Sequence, residues 1–160
     1  MKTIHVGNLT IDGSNLFLIA GPCVIEGYDR TLMIGREIKK ICERLGVQYI
    51  FKASFDKANR SSYHSFRGPG LEKGLEILAD IKKELQVPVL SDVHDVTQLA
   101  PAAKVLDMLQ IPAFLCRQTD LLTSAAKTGK IINIKKAQFL SGKDMRYPVE
   151  KAMDSGATEV

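Results

Sequence analysis

From about Asp29 to Leu45 the apolar residues Ile34, Ile38, Ile41 and Leu45 recur at spacings of four, three and four. That spacing lines one stripe of a helix, and Gly46 is placed to end it. Leu71, Leu75, Leu78, Ile81 and Leu85 predict a second helix, with Pro88 punctuating the turn that follows. Short apolar runs without helical spacing stand between and around these stripes: Leu16–Ala20 before Gly21-Pro22, Val47–Ser54, Val87–Val93, Met108–Ala113 and Ile131–Ala137. Runs of this length, bounded by turn residues, read as strands. Three more helices are expected. The first covers about Thr97–Leu106 with Pro101 early in it. The next is capped by Thr119 or Asp120 and runs to Thr128 before Gly129. The last begins near Asp144, tolerates Pro148 in its first turn and stops before Gly156. Ile4-His5-Val6, Gly7-Asn8 and Leu9-Thr10-Ile11 predict a short hairpin over 1–15, and Ala157–Val160 reads as a strand just starting.

The regular alternation of strand and helix predicts an α/β chain forming one domain over 1–160, built on a parallel sheet. Two architectures fit. A doubly wound sheet of five strands would be complete at this length, whereas a (β/α)8 TIM barrel, at about 250 residues, would be cut off after about five βα units. The phosphate fingerprints GxGxxG and GxxxxGK[ST] are both absent after Leu16–Ala20. The stop at Thr158-Glu159-Val160 also favours the truncated barrel, preceded by its N-terminal β-hairpin.

Composition narrows the function classes. With 160 residues, 45% hydrophobic and 25% charged, there is room for one sizeable core and no sign of disorder, collagen or coiled coil. A net charge of +4 favours acidic ligands, but dispersed cations and 6% aromatics make nucleic acid a weak alternative. Cys23, Cys42 and Cys116 are odd in number and form no CxxC, which suits a reducing compartment rather than a disulfide framework. Lys2 stands near the N-terminus, but the apolar run Leu16–Ala20 is too short for a signal peptide. No stretch approaches the roughly 18 apolar residues of a membrane helix, so a cytoplasmic protein without a membrane partner is expected.

The candidate chemistry gathers in Phe51–Gly68, FKASFDKANRSSYHSFRG, where Lys52, Lys57, Arg60 and Arg67 face one acid, Asp56. Cations bind anions, Arg can grip phosphate oxygens in a fork, and Ser54, Asn59, Ser61 and Ser62 offer neutral hydrogen-bonding groups. The bland alternative is a basic surface loop. Against it stands the placement of other polar residues at the C-terminal ends of the predicted strands: Cys23, Lys52 with Ser54, Asp92 with His94, Gln110 and Ala113 before Arg117, and Lys135. Parallel α/β folds put their active sites at those ends. Each residue alone has a structural reading: Cys23 as a small buried residue, His64 and His94 as packing partners, Glu26 as a helix cap, Cys42 and Cys116 as core. Lys135 differs, because an amine in a strand of Ile residues needs an anion to justify its desolvation.

GPCVIE (21–26), FKASFDKANRSSYHSFRG (51–68), SDVH (91–94), QIPAFLCRQTDLL (110–122) and NIKKAQF (133–139) resemble the 3-deoxy-D-manno-octulosonate 8-phosphate synthase family over about Leu16 to Val160. The resemblance implies a usually tetrameric (β/α)8 transferase. Such an enzyme condenses phosphoenolpyruvate with D-arabinose 5-phosphate and releases inorganic phosphate, a step in making the lipopolysaccharide core. It implies that Lys52, Ser54, Lys57 and Lys135 hold phosphoenolpyruvate, with the Ala113-Phe114 backbone and Arg117 shaping its pocket. Asn59 would contact the sugar hydroxyls, Arg60 and Ser61 the 5-phosphate, and Asp92, His94 and Gln110 the floor. Lys57, Asn59, Asp92, His94 and Lys135 are then the catalytic candidates. Cys23 marks the subclass that needs a divalent metal (Zn, Fe, Mn or Co), whose other ligands, His, Glu and Asp, are expected beyond residue 160. A related synthase that uses erythrose 4-phosphate shares the GPC strand end but carries Lys-Pro-Arg where Lys57-Ala58-Asn59-Arg60 stands, and so ranks lower. A non-catalytic anion-binding barrel fragment is the remaining alternative, because a chain ending at Val160 is expected to be inactive by itself.

Overall fold

The computed structural model describes residues 3–160, so Met1 and Lys2 of the expected hairpin lie outside the described residues. The fold is α/β: a two-stranded antiparallel hairpin and five strands in a parallel sheet whose order follows chain order, β3-β4-β5 and then β5-β6-β7. The chain divides into two compact units, Met1–Ser91 and Asp92–Val160.

The first unit opens with β1 (Ile4–Val6) and β2 (Leu9–Ile11), joined by a two-residue turn with Val6 opposite Leu9. Gly7 takes φ 59 in that turn, a conformation glycine adopts without strain, and packs against Pro88. Next come β3 (Phe17–Ala20), α1 (Tyr28–Leu45), β4 (Gln48–Lys52), α2 (Leu71–Leu85) and β5 (Val89–Asp92), the last running across the division between units. β4 pairs in parallel with β3 and with β5.

The two helices pack differently. α2 buries Leu75, Leu78, Ile81 and Leu85, the stripe expected from sequence. α1 uses only part of the expected stripe: Ile34 and Ile38 are half-buried, Ile41 and Leu45 are exposed, and the buried positions are Thr31, Leu32, Gly35 and Cys42. The cause is Gly35. A Cβ there would lie 2.6 Å from Leu85 Cδ1 and 3.0 Å from Phe51 Cε2, so the missing side chain lets α1 lie directly against α2 and β4. Glu26 does not cap α1 either; it pairs with Arg30 at 2.5 Å, and the residue before the helix is Gly27.

The second unit contains α3 (Val96–Val105), β6 (Met108–Ile111), α4 (Thr119–Ala126), β7 (Ile131–Ile134) and α5 (Arg146–Asp154), with single 3-10 turns at Ala113–Leu115 and Lys143–Met145. Asp95 caps α3 by accepting from Thr97 N at 2.8 Å, and the Thr97 hydrogen bonds hold its carboxyl below the usual range. α4 begins at Thr119 after Gln118 and has no side-chain cap, so neither Thr119 nor Asp120 serves as one. Thr119 Oγ1 instead accepts from Lys151 Nζ at 2.8 Å, tying α4 to α5. β6 and β7 are parallel, with Gln110 opposite Asn133. Residues 157–160 form no strand, but Ile132 N donates to Glu159 O at 3.2 Å along the far edge of β7. Among the described residues no helix is long and apolar enough to cross a membrane.

Gly74 gives this packing a test. Its position on α2 presses on Phe55, where a Cβ would lie 2.3 Å from Phe55 Cβ and 3.1 Å from its Cα. Gly74→Ala is therefore expected to lower stability by about 1–3 kcal/mol despite the better helix propensity of Ala. Gly142→Ala, with nothing within 4 Å of the added Cβ, should cost nothing in the same urea titration. Equal midpoints for both variants would contradict the close approach.

Candidate anion-binding site

In the first unit the chemistry is assembled where β4 ends. Lys52 closes the strand, and Lys52 Nζ donates to the buried Ser54 Oγ at 2.8 Å, as expected for two side chains on one face. The chain after β3 is fastened beside them. A Cβ on Gly21 would lie 2.0 Å from Lys52 O, so only glycine fits there. Tyr49 Oη donates to Ala20 O at 3.1 Å, and burial pushes its phenol above the ordinary range, keeping it a donor. Ile25 N donates to Ser54 O at 3.0 Å, and Val24 bridges Ser54 in parallel. These bonds fix both flanks of Cys23, which is exposed.

The basic loop that follows is closed on itself. Gly70 N donates to Phe55 O at 3.1 Å and Lys57 N to Arg67 O at 2.7 Å, joining its two ends. Arg67 grips Asp56 with both arms of its guanidinium, Nε to Oδ1 at 2.8 Å and Nη2 to Oδ2 at 2.5 Å. The one acid in the segment is thereby matched to Arg67. Farther out, Arg60 Nε donates to Phe66 O at 3.2 Å, and Asn59, Arg60 and Ser61 stand exposed. Val24, Glu26, Arg60, Ser65 and Phe66 line a shallow hollow at this end. His64 lies edge-on to Tyr63 with ring centres 5.5 Å apart, and both side chains are exposed, so His64 is not the packing partner expected from sequence.

In the second unit, Asp92 at the end of β5 and Gln110 on β6 are both buried and joined by a hydrogen bond from Gln110 Nε2 to Asp92 Oδ1. Asn133 Nδ2 on β7 continues the row to Gln110 Oε1 at 2.8 Å. Asn133 is not among the sequence candidates, although it is the polar residue within the otherwise apolar Ile131–Ile134 run. His94 is half-buried, and its backbone N–H donates to Gln98 Oε1 at 2.8 Å.

Lys135 itself departs from expectation. β7 ends at Ile134, Lys135 is exposed, and the desolvation argument that singled it out does not hold here. Its backbone N–H still donates to Ile111 O at 3.0 Å, which fixes its place beside the end of β6. Ala113 is buried in the 3-10 turn, with Cys116 and Ala137. Phe114 is 58% exposed and stacks on Phe139 at 6.5 Å. Arg117 is exposed, and its carbonyl accepts from Lys151 Nζ at 3.0 Å.

Cys23 is the one proposed metal ligand in this chain, and a lone exposed thiol does not make a metal site. Among the described residues no group of three or more His, Cys, Asp or Glu side chains is arranged to hold an ion. The residues present do not by themselves fit a metal.

Residues 3–160 match the family described as the DAHP synthetase I family. The chain belongs to that family. It is 59% identical over 155 residues to a Desulfosudis oleivorans protein named 2-dehydro-3-deoxyphosphooctonate aldolase, covering 96% of this chain and 56% of that one. Proteins of the same name from Koribacter versatilis (55% over 160 residues, covering 100% and 58%) and Synechococcus sp. (59% over 146 residues, covering 91% and 51%) are similar to it as well. The chain thus spans about half the length of these curated relatives, from 51% to 58%. The family resemblance read from the GPCVIE and KANRSS segments is borne out.

The Asp56–Arg67 pair is the fastening of the basic loop that a single substitution removes. Asp56→Asn is expected to speed trypsin cleavage after Lys57, Arg60 or Arg67 by roughly threefold or more, since exposed segments are cut through local opening. Cleavage rates unchanged from the parent chain would show that the backbone bonds alone hold the loop.

Proposed function

We propose that this chain is the N-terminal part of a synthase that condenses phosphoenolpyruvate with D-arabinose 5-phosphate. The products are 3-deoxy-D-manno-octulosonate 8-phosphate and inorganic phosphate, for lipopolysaccharide core synthesis. What carries the reading is a segment with four cations and one acid at the end of β4, in a chain 59% identical to a protein named 2-dehydro-3-deoxyphosphooctonate aldolase. The five strands in chain order support the finer reading of the fold as the first units of a (β/α)8 barrel in one domain. A doubly wound sheet would reverse its order at a switch point.

In the reaction, C3 of phosphoenolpyruvate attacks the sugar aldehyde carbon, water adds at C2, and phosphate leaves with cleavage of its C–O bond. Both substrates are phosphate anions, so the protein's task is orientation and charge balance. In the first unit, Lys52, Ser54 and Lys57 hold the phosphoenolpyruvate anion, Asn59 meets the sugar hydroxyls, and Arg60 with Ser61 takes the 5-phosphate. In the second, Asp92, His94 and Gln110 form the floor. There Lys135, Arg117 and the Ala113-Phe114 backbone serve phosphoenolpyruvate, which the exposure of Lys135 and Arg117 permits. The full-length protein is read as a cytoplasmic homotetramer, with Cys23 as one ligand of a divalent metal. No step is assigned to that metal.

The erythrose 4-phosphate alternative is not favoured, because the relatives described above carry the octonate name. Phosphate release by the full-length protein with each aldose phosphate separates the two, and release with erythrose 4-phosphate alone would sink the octulosonate reading. Arg60→Ala in the full-length protein should raise KM for arabinose 5-phosphate by about tenfold or more, the loss of one charge-assisted contact, and leave KM for phosphoenolpyruvate little changed. Equal effects on both constants would mean the two phosphate sites had been exchanged.

A further inference from the structure

The row of Asn133, Gln110 and Asp92 has a direction. Asn133 Nδ2 donates to Gln110 Oε1, and Gln110 Nε2 donates to Asp92 Oδ1. Gln110 and Asp92 are 9% and 5% exposed, so water competes little for these bonds. A carboxylate only accepts, while a protonated carboxyl also donates. Turned over at both amides, the same row would need a proton on Asp92. The direction of the row is the one that suits a carboxylate at Asp92.

We propose that Asn133 is a positioning residue. By donating to Gln110 Oε1 it fixes the Gln110 amide with its NH2 toward Asp92 Oδ1 at the end of β5. The inference rests on the functional reading above, in which Asp92 and Gln110 line the reacting floor, and extends it to a residue that acts through another. It also divides the chemistry. With the Gln110 NH2 turned toward it, Asp92 acts in this row as an acceptor and not as a proton donor. Without Asn133, the Gln110 amide is oriented from the Asp92 side alone.

Side-chain NMR of the 160-residue chain at neutral pH tests this. In the unsubstituted chain the Gln110 Nε2 protons should show nuclear Overhauser contacts to the Asp92 β protons. Their solvent exchange should be about tenfold slower than in Asn133→Leu, the effect of one buried hydrogen bond. Asn133→Asp, which at that pH can only accept, should turn Gln110 over and move its NH2 toward position 133. Gln110 protons lying on the Asn133 side in the unsubstituted chain would overturn the proposal. So would contacts and exchange rates that are the same in all three chains. If a variant fails to fold, the contacts in the unsubstituted chain decide alone. None of these measurements needs turnover, so a correctly directed row in a full-length protein without synthase activity would remove the functional reading and leave the orientation of Gln110 established.

Discussion

The first unit depends on one close approach of backbone to backbone. Gly21 lies so near the carbonyl of Lys52 that a side chain cannot fit, and the bonds from Tyr49 to Ala20 and from Ile25 to Ser54 hold the two segments on either side of it. The consequence is geometric. The chain leaving β3 is kept parallel to the chain leaving β4 for several residues past the last sheet pair, so the Cys23 and Ser54 segments emerge side by side and not splayed. A cluster of polar side chains at strand ends keeps a fixed geometry only on such a stiff base, because a loop free to move would lose their mutual orientation.

Much of this was legible in the sequence, and the misses have physical causes. The α2 stripe was read correctly because Leu and Ile at helical spacing have a single low-energy use. The α1 stripe is right only at Ile34 and Ile38, which are half-buried, because the deciding residue, Gly35, contributes absence: a pattern of apolar residues does not register a helix that packs through a missing side chain. The hairpin followed from Gly7-Asn8, and the Lys52–Ser54 pair from strand alternation. The caps at Thr119 and Glu26 failed for a common reason. Each side chain found a partner, Lys151 and Arg30 respectively, and capping preference is a modest force that such pairings override.

The candidate site was legible where charge density spoke and obscure where neutral amides did the work. Four cations against one acid stand out in any reading of 51–68. That Arg67 belongs to Asp56 in a two-armed pair does not stand out, since eleven residues separate them. Asn133 was passed over beside the more conspicuous Lys135, yet its amide is the one joined to the buried row, while Lys135 reaches solvent. Charge marks where a ligand is attracted; the neutral hydrogen-bonding groups mark where side chains are held still.

The knot that closes residues 55–70 has an evolutionary consequence. The Phe55–Gly70 and Lys57–Arg67 backbone bonds use no side-chain chemistry, and the Asp56–Arg67 pair sits at the neck. Everything between Ala58 and Phe66 is therefore a replaceable tip on a fixed stem. Substitutions there change exposed side chains while the stem keeps Lys52 and Ser54 in register. The tip is a module, free to vary without unsettling the sheet beneath it.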